Sequence, residues 1–184
     1  MKKLFYRVGL GMIFVIFNIG NTFDLLPDPI GYLIMMSALL ELRRLEKSFT
    51  MGAWISGVLT VISIPGAFQR FILNFSYPGE SLHVGLIFQL AETFLNWALL
   101  YSICNGAFKL AAIRGKGGLA AAIRFRWWLY FGSSALYMLF FPYIFNFERL
   151  NEVVLLAGRI SWIAFMMIFM VIRRTGRELA GLQG

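Results

Sequence analysis

Apolar residues run through this chain in long, nearly uninterrupted stretches, and polar residues gather in short groups between them. A helix needs roughly 20 residues to cross hydrocarbon. Six stretches approach or exceed that length, at about 6–24, 29–43, 52–75, 84–108, 127–147 and 153–172. The pattern therefore predicts an all-α polytopic transmembrane bundle of about six spans, with residues 1–184 forming a single domain. The second stretch is the shortest, about 21 Å from Pro29 to Arg43. It must tilt, run past Arg44, or begin below the outer surface. Beginning low would sink the turn 24–32 into the outer leaflet. Pro65 and Pro142 are expected to kink the third and fifth spans, because proline removes a helix donor and clashes with the preceding turn.

Charge gives the bundle a direction. All but three of the seventeen basic residues fall in four short clusters between the stretches. These are Lys2/Lys3/Arg7, Arg43/Arg44/Lys47, Lys109/Arg114/Lys116/Arg124/Arg126 and Arg173/Arg174/Arg177. Basic loops stay on the cytoplasmic side, so a multi-pass protein of the cell membrane with both termini inside is expected. Arg70, Arg149 and Arg159 sit inside or beside spans at the opposite end. Trp54, Trp127 and Trp128 mark the inner interface, and Tyr77, Tyr143 and Phe147 the outer one. The first stretch has a basic start, as a signal peptide does. Arg7 delays its apolar run and no small-residue cleavage site follows, so it reads as a retained helix.

Composition agrees. The chain is 59% hydrophobic and 14% charged, where a soluble domain would be near half and a quarter. The net charge of +8 points to anionic lipid at the cytoplasmic face. It does not point to nucleic acid, because the charges track span ends and no soluble segment is long enough for a binding domain. A single cysteine, Cys104, excludes an internal disulfide and a cysteine metal cage.

The informative residues are polar groups inside the spans. In Leu26-Pro27-Asp28-Pro29 each residue before proline is held extended. Asp28 then suits a helix cap and Pro29 the first helical position. Asp24 and Asp28 also place two carboxylates near a helix N-terminus. Arg70, Glu92 and Arg159 lie about 8–12 Å below the outer surface by helical rise. Intramembrane charges normally face the bundle interior and pair, so Glu92 is expected to meet Arg70 or Arg159. Gln89, Glu92/Thr93 and Asn96 share one helical face. Ser56, Thr60, Ser63, Ala67, Arg70 and Asn74 form a small-and-polar stripe, as do Asn18, Asn21 and Asp24. Such stripes mark helix–helix seams. Asp24, Asp28, Arg70, Glu92 and Arg159 are thus the candidate binding residues, either as the wall of an outward-facing polar cavity or as clamps between helices.

Other features are weaker. His83 beside Glu80 is a poor metal pair, and Cys104 suits packing. Residues 114–118 lack the spacing of a phosphate loop and read as a flexible connection. Leu119–Arg126 suits a basic amphipathic segment lying on the inner headgroups. Met166, Met167 and Met170 read as adaptable packing. No catalytic motif, cofactor motif or metal cluster is expected. The two halves of three spans would run in opposite orientations, but no internal sequence match supports an inverted repeat.

The run Asp24-Leu-Leu-Pro-Asp-Pro-Ile-Gly-Tyr-Leu-Ile34, followed by Leu42-Arg-Arg-Leu45, resembles small membrane proteins of Gram-positive bacteria that carry D-x-L-P-D-x-I-G-Y after their first span. The resemblance covers about 20 residues and implies a membrane location without implying an activity. In size and topology alone the chain is also similar to the substrate-binding membrane subunits of energy-coupling-factor vitamin transporters. Two expectations follow. One is binding or transport of a small polar or zwitterionic solute from outside, with Glu92 and the arginines as counter-charges and Tyr32 and Trp162 lining the site. The other is a non-catalytic accessory or assembly subunit.

Overall fold

The computed structural model describes residues 1–16, 28–72, 82–140, 143 and 148–180, with backbone alone at 65–72, 82–89, 148 and 149. Within them the chain is all-α. The helices are α1 (Lys2–Ile16), α2 (Asp28–Leu42), α3 (Ser48–Ile72), α4 (Leu82–Ile113), α5 (Gly117–Phe140) and α6 (Glu148–Ala180), and no strand occurs among the described residues.

Local chemistry sets these boundaries. Helix α2 opens at Asp28 with Pro29 in its first turn, as the cap-and-proline reading requires. Helix α4 ends in a tight, fully bonded turn. The Gly115 N–H donates to the Ala112 carbonyl (3.0 Å) and the Lys116 N–H to the Ala111 carbonyl (2.9 Å), with Gly115 at φ 70°. This is a Schellman cap, which needs a residue without Cβ at the left-handed position. The connection expected to be flexible is therefore an ordered stop, and α5 resumes at Gly117. Helix α5 starts ten residues earlier than expected and is described to Phe140; Pro142, expected to kink the fifth span, lies outside the described residues. Pro65 lies within a helix that continues to Ile72.

The six helices form a closed ring in chain order, each packed on the next and α6 returning to α1, with a minor α4–α6 contact across it. Adjacent helices run antiparallel. Between α1 and α2, Arg7 meets Glu41 while Gly11 meets Gly31 and Met35. Between α6 and α1, Gly176 lies against Phe5 and Gly9 against Phe169. An even number of helices lets an up-and-down chain close this way. Small residues set the closest approaches. A Cβ on Gly11 would stand 2.6 Å from the Gly31 carbonyl oxygen, and one on Gly106 would stand 2.6 Å from the Phe49 ring.

Closure brings all four basic clusters to one end of the ring, where most of the core lies. Phe5, Leu39, Leu42, Phe49, Ile103 and Ile172 are fully buried there. Leu119, Ala120 and Ile123 join them, so the segment expected to lie on headgroups is instead the first turns of α5, with its apolar face in the bundle. Trp127 likewise turns inward, stacking on Phe131 at 5.6 Å and lying 5.6 Å from Tyr101. Trp54 and Trp128 stay exposed. At this end Ser48, the first residue of α3, ties the turn after α2 and the start of α3 to α4. Its hydroxyl donates to Glu46 (3.0 Å) and accepts from Lys109 (2.9 Å), while its carbonyl accepts from Ser102 (2.6 Å).

The outward surface is apolar, with Trp54 73% and Val61 66% exposed. Among the described residues one helix, Leu150–Ala180, is long and apolar enough to cross a membrane, at mean hydropathy 2.1; Ser48–Ile64 is apolar but shorter. This points toward membrane association.

Candidate functional site

Away from the basic end, the ring opens into a cavity of about 730 Å³, within the usual size class of ligand pockets. Five helices contribute. Met12 and Val15 come from α1, Met35 from α2, and Thr93, Asn96 and Leu100 from α4. Tyr130, Ser134 and Tyr137 come from α5, and Ser161, Trp162 and Phe165 from α6. Among the described residues the polar atoms lining it are hydroxyl, amide and indole groups, and no lining side chain is ionised.

Two hydrogen bonds fix its polar wall. Tyr32 sits one turn after the Asp28-Pro29 start of α2, and its ring is 1% exposed. Its hydroxyl donates to Asn96 Oδ1 at 3.0 Å, tying α2 to α4. Trp97 Nε1 donates to Ser134 Oγ at 3.0 Å, tying α4 to α5. Buried polar groups so bonded hold their positions, because losing a partner inside a low-dielectric interior is costly. Aromatic rings brace the same walls: Trp97 meets Phe131 edge-on at 5.2 Å, and Tyr130 meets Phe165 at 5.8 Å. Gly158 allows the Tyr137 ring to approach the α6 backbone. Met12, Met35 and Met138 give the lining adaptable side chains.

Of the charged residues singled out from sequence, Asp28, Glu92 and Arg159 do not line the cavity. Asp24 lies outside the described residues, and Arg70 is described by backbone alone. Asp28 and Glu92 both lie within electrostatic reach of Tyr32, flanking the wall of the cavity without lining it. Arg159 is exposed on α6 and does not pair with Glu92, contrary to the expected alternative. The helical phase explains this. Its neighbour Gly158 faces the Tyr137 ring, and one residue turns the helix by about 100°. The Thr93–Asn96 part of the polar α4 stripe does line the cavity, as does Trp162; Tyr32 acts through its bond to Asn96. Sequence reasoning missed Tyr130, Ser134 and Tyr137. Their i, i+4, i+7 spacing on one helical face was the available signal.

Comparison with family models, curated proteins and solved structures finds no match to this chain.

Proposed function

We propose that all six helices cross the bilayer with the basic end toward the cytoplasm, and that the cavity binds a small, uncharged, amphipathic molecule. Its lining carries the reading: an apolar space with hydroxyls and an amide at one wall, and no ionised group among the described lining residues. Burying an unpaired charge in such a space costs far more than burying a hydroxyl that finds a partner. A neutral ligand is therefore favoured over the zwitterion that the charge pattern first suggested. The described lining has no carboxylate, imidazole, amine or thiol for proton transfer or nucleophilic attack, so the proposed role is binding, with no chemistry performed. The D-x-L-P-D-x-I-G-Y resemblance belongs to the same reading, since its Asp28–Tyr32 portion builds the start of α2 and delivers Tyr32 to Asn96.

A thermal-shift screen of the detergent-purified protein tests this. Neutral amphiphiles such as aromatic alcohols and isoprenoid quinols should raise the melting temperature through linkage, and charged metabolites should not. Asn96→Leu should fold and lose the response. Hits confined to charged solutes would overturn the neutral-ligand reading. Reporter fusions in the turns at 43–47 and 114–116 test the topology, and both should read cytoplasmic.

One observation favours the accessory-subunit reading. Arg159 is exposed beside Leu155, Leu156, Trp162 and Ile163, each more than half exposed. An arginine facing lipid is expensive, and an acidic residue on a neighbouring membrane protein would relieve that cost. On this reading Arg159→Leu removes a high-mass complex from native membranes and leaves ligand-induced melting shifts unchanged.

A further inference from the structure

At the basic end, a second cavity of 840 Å³ lies between α1 and α6. Helix α1 contributes Lys2, Lys3 and Arg7, and α6 contributes Arg173, Arg174 and Arg177. Arg126 of α5 reaches the same space. Two carboxylates offset this charge: Glu41 pairs with Arg7 at 2.8 Å, and Glu178 pairs with Arg174. Lys2, Lys3, Arg126, Arg173 and Arg177 have no ion-pair partner among the described residues. The remaining wall is apolar, made by Tyr6, Phe169 and Met170. Arg173 stands at the junction, its guanidinium 5.4 Å from the Tyr6 ring centre and 5.5 Å from that of Phe169. Cation–π contacts of this length hold the group in place.

We infer that this groove is a binding site for an anionic phospholipid, with its phosphate held by Arg173, Arg177 and the α1 lysines and an acyl chain on Phe169 and Met170. The argument is charge complementarity joined to amphipathicity. A soluble anion would use the cations but leave the apolar wall bare. A neutral lipid would use the wall but leave five cations uncompensated. An anionic phospholipid meets both, and basic pockets between helices at a cytoplasmic surface are suited to such headgroups. The lipid would also bridge α1 and α6, the first and last helices of the ring. The inference rests on the membrane reading above and is independent of the neutral-ligand cavity.

The test uses the full chain in nanodiscs containing mixed phosphatidylglycerol and phosphatidylcholine, with retained lipid counted by native mass spectrometry. Phosphatidylglycerol should be retained selectively. Each cation removed by Arg173→Gln or Arg177→Gln should weaken its retention roughly fivefold, from about 1 kcal/mol per basic residue near an anionic surface. Both residues are exposed, and an unchanged melting temperature would confirm that the variants fold. Arg43→Gln/Arg44→Gln removes charge at the same end but outside the groove, and should leave retention unchanged. Equal weakening by that control would reduce the effect to diffuse surface charge and overturn the site. Glycerophosphoglycerol, the headgroup without chains, should not compete at comparable concentration; full competition would make the groove a soluble-anion site. Failure to enter nanodiscs at all would count against the membrane reading itself, whereas entry without lipid preference would overturn the groove alone.

Discussion

A hydrogen atom in place of a methyl group decides how closely these helices approach. Gly11 and Gly31 face each other across α1 and α2, and a Cβ on Gly11 would strike both Met35 Cγ at 2.5 Å and the backbone oxygen of Gly31 at 2.6 Å. Backbone cannot swing aside as a side chain can, so Gly11→Ala should lower stability by about 1–3 kcal/mol, the usual cost of overpacking. Gly158→Ala is a fair control, because its nearest neighbour is the edge of the Tyr137 ring at 3.2 Å. Thermal unfolding in one detergent should rank Gly11→Ala well below Gly158→Ala. Ser56 gives the opposite expectation. Its hydroxyl is buried without a partner among the described residues, so Ser56→Ala should leave the melting temperature unchanged or raise it, since an unsatisfied buried group costs free energy. The stripe containing Ser56 was legible as a seam from its spacing. Which member of it lacked a partner was not, because that depends on the facing helix.

The turn between α2 and α3 shows how one short link can gather three helices. Partial burial pushes the Glu46 carboxyl up, but the Ser48 hydroxyl and N–H, with the Lys109 ammonium, outweigh it and hold the group below the usual glutamate range. A carboxyl depressed by folding stabilises the protein fully above its unfolded pKa and loses that contribution as pH falls through the folded one. Glu46→Gln should therefore lower the melting temperature at neutral pH, and the difference from the unchanged protein should vanish in acid. A gap that persists below the carboxylate range would place the effect in packing instead. At this scale the sequence was most readable for element type and least for ends. Apolar runs located all six helices, and Asp28-Pro29 marked the start of α2. The Gly115 cap and the early start of α5 went unread, because apolar content says where hydrocarbon is covered and not where the backbone stops bonding to itself. The i, i+4, i+7 face of Tyr130, Ser134 and Tyr137 was overlooked because aromatic residues in an apolar run resemble packing.

For the whole molecule, the seam between α1 and α6 completes the ring. A Cβ on Gly176 would meet Phe5 Cβ at 2.6 Å, so Gly176→Val should push the two helices apart. Hydrogen exchange should then rise along 2–12 and 171–180, while the α2–α3 pair stays protected. Uniform loss of protection would mean that the ring unfolds as one unit instead of opening at its seam. Charge clustering made the shared basic end of the bundle legible in sequence. The neutrality of the cavity was not, since it depends on rotations that turn Arg159 outward and Asn96 inward. Ring closure also has a consequence for biosynthesis. While the ribosome is still making α6, the five earlier helices form only an open arc, and the side of α1 at Gly9 that meets Phe169 has nothing against it. The cavity then lacks its Ser161, Trp162 and Phe165 wall. Retention of the proposed ligand should therefore begin only once α6 has packed against α1 and α5.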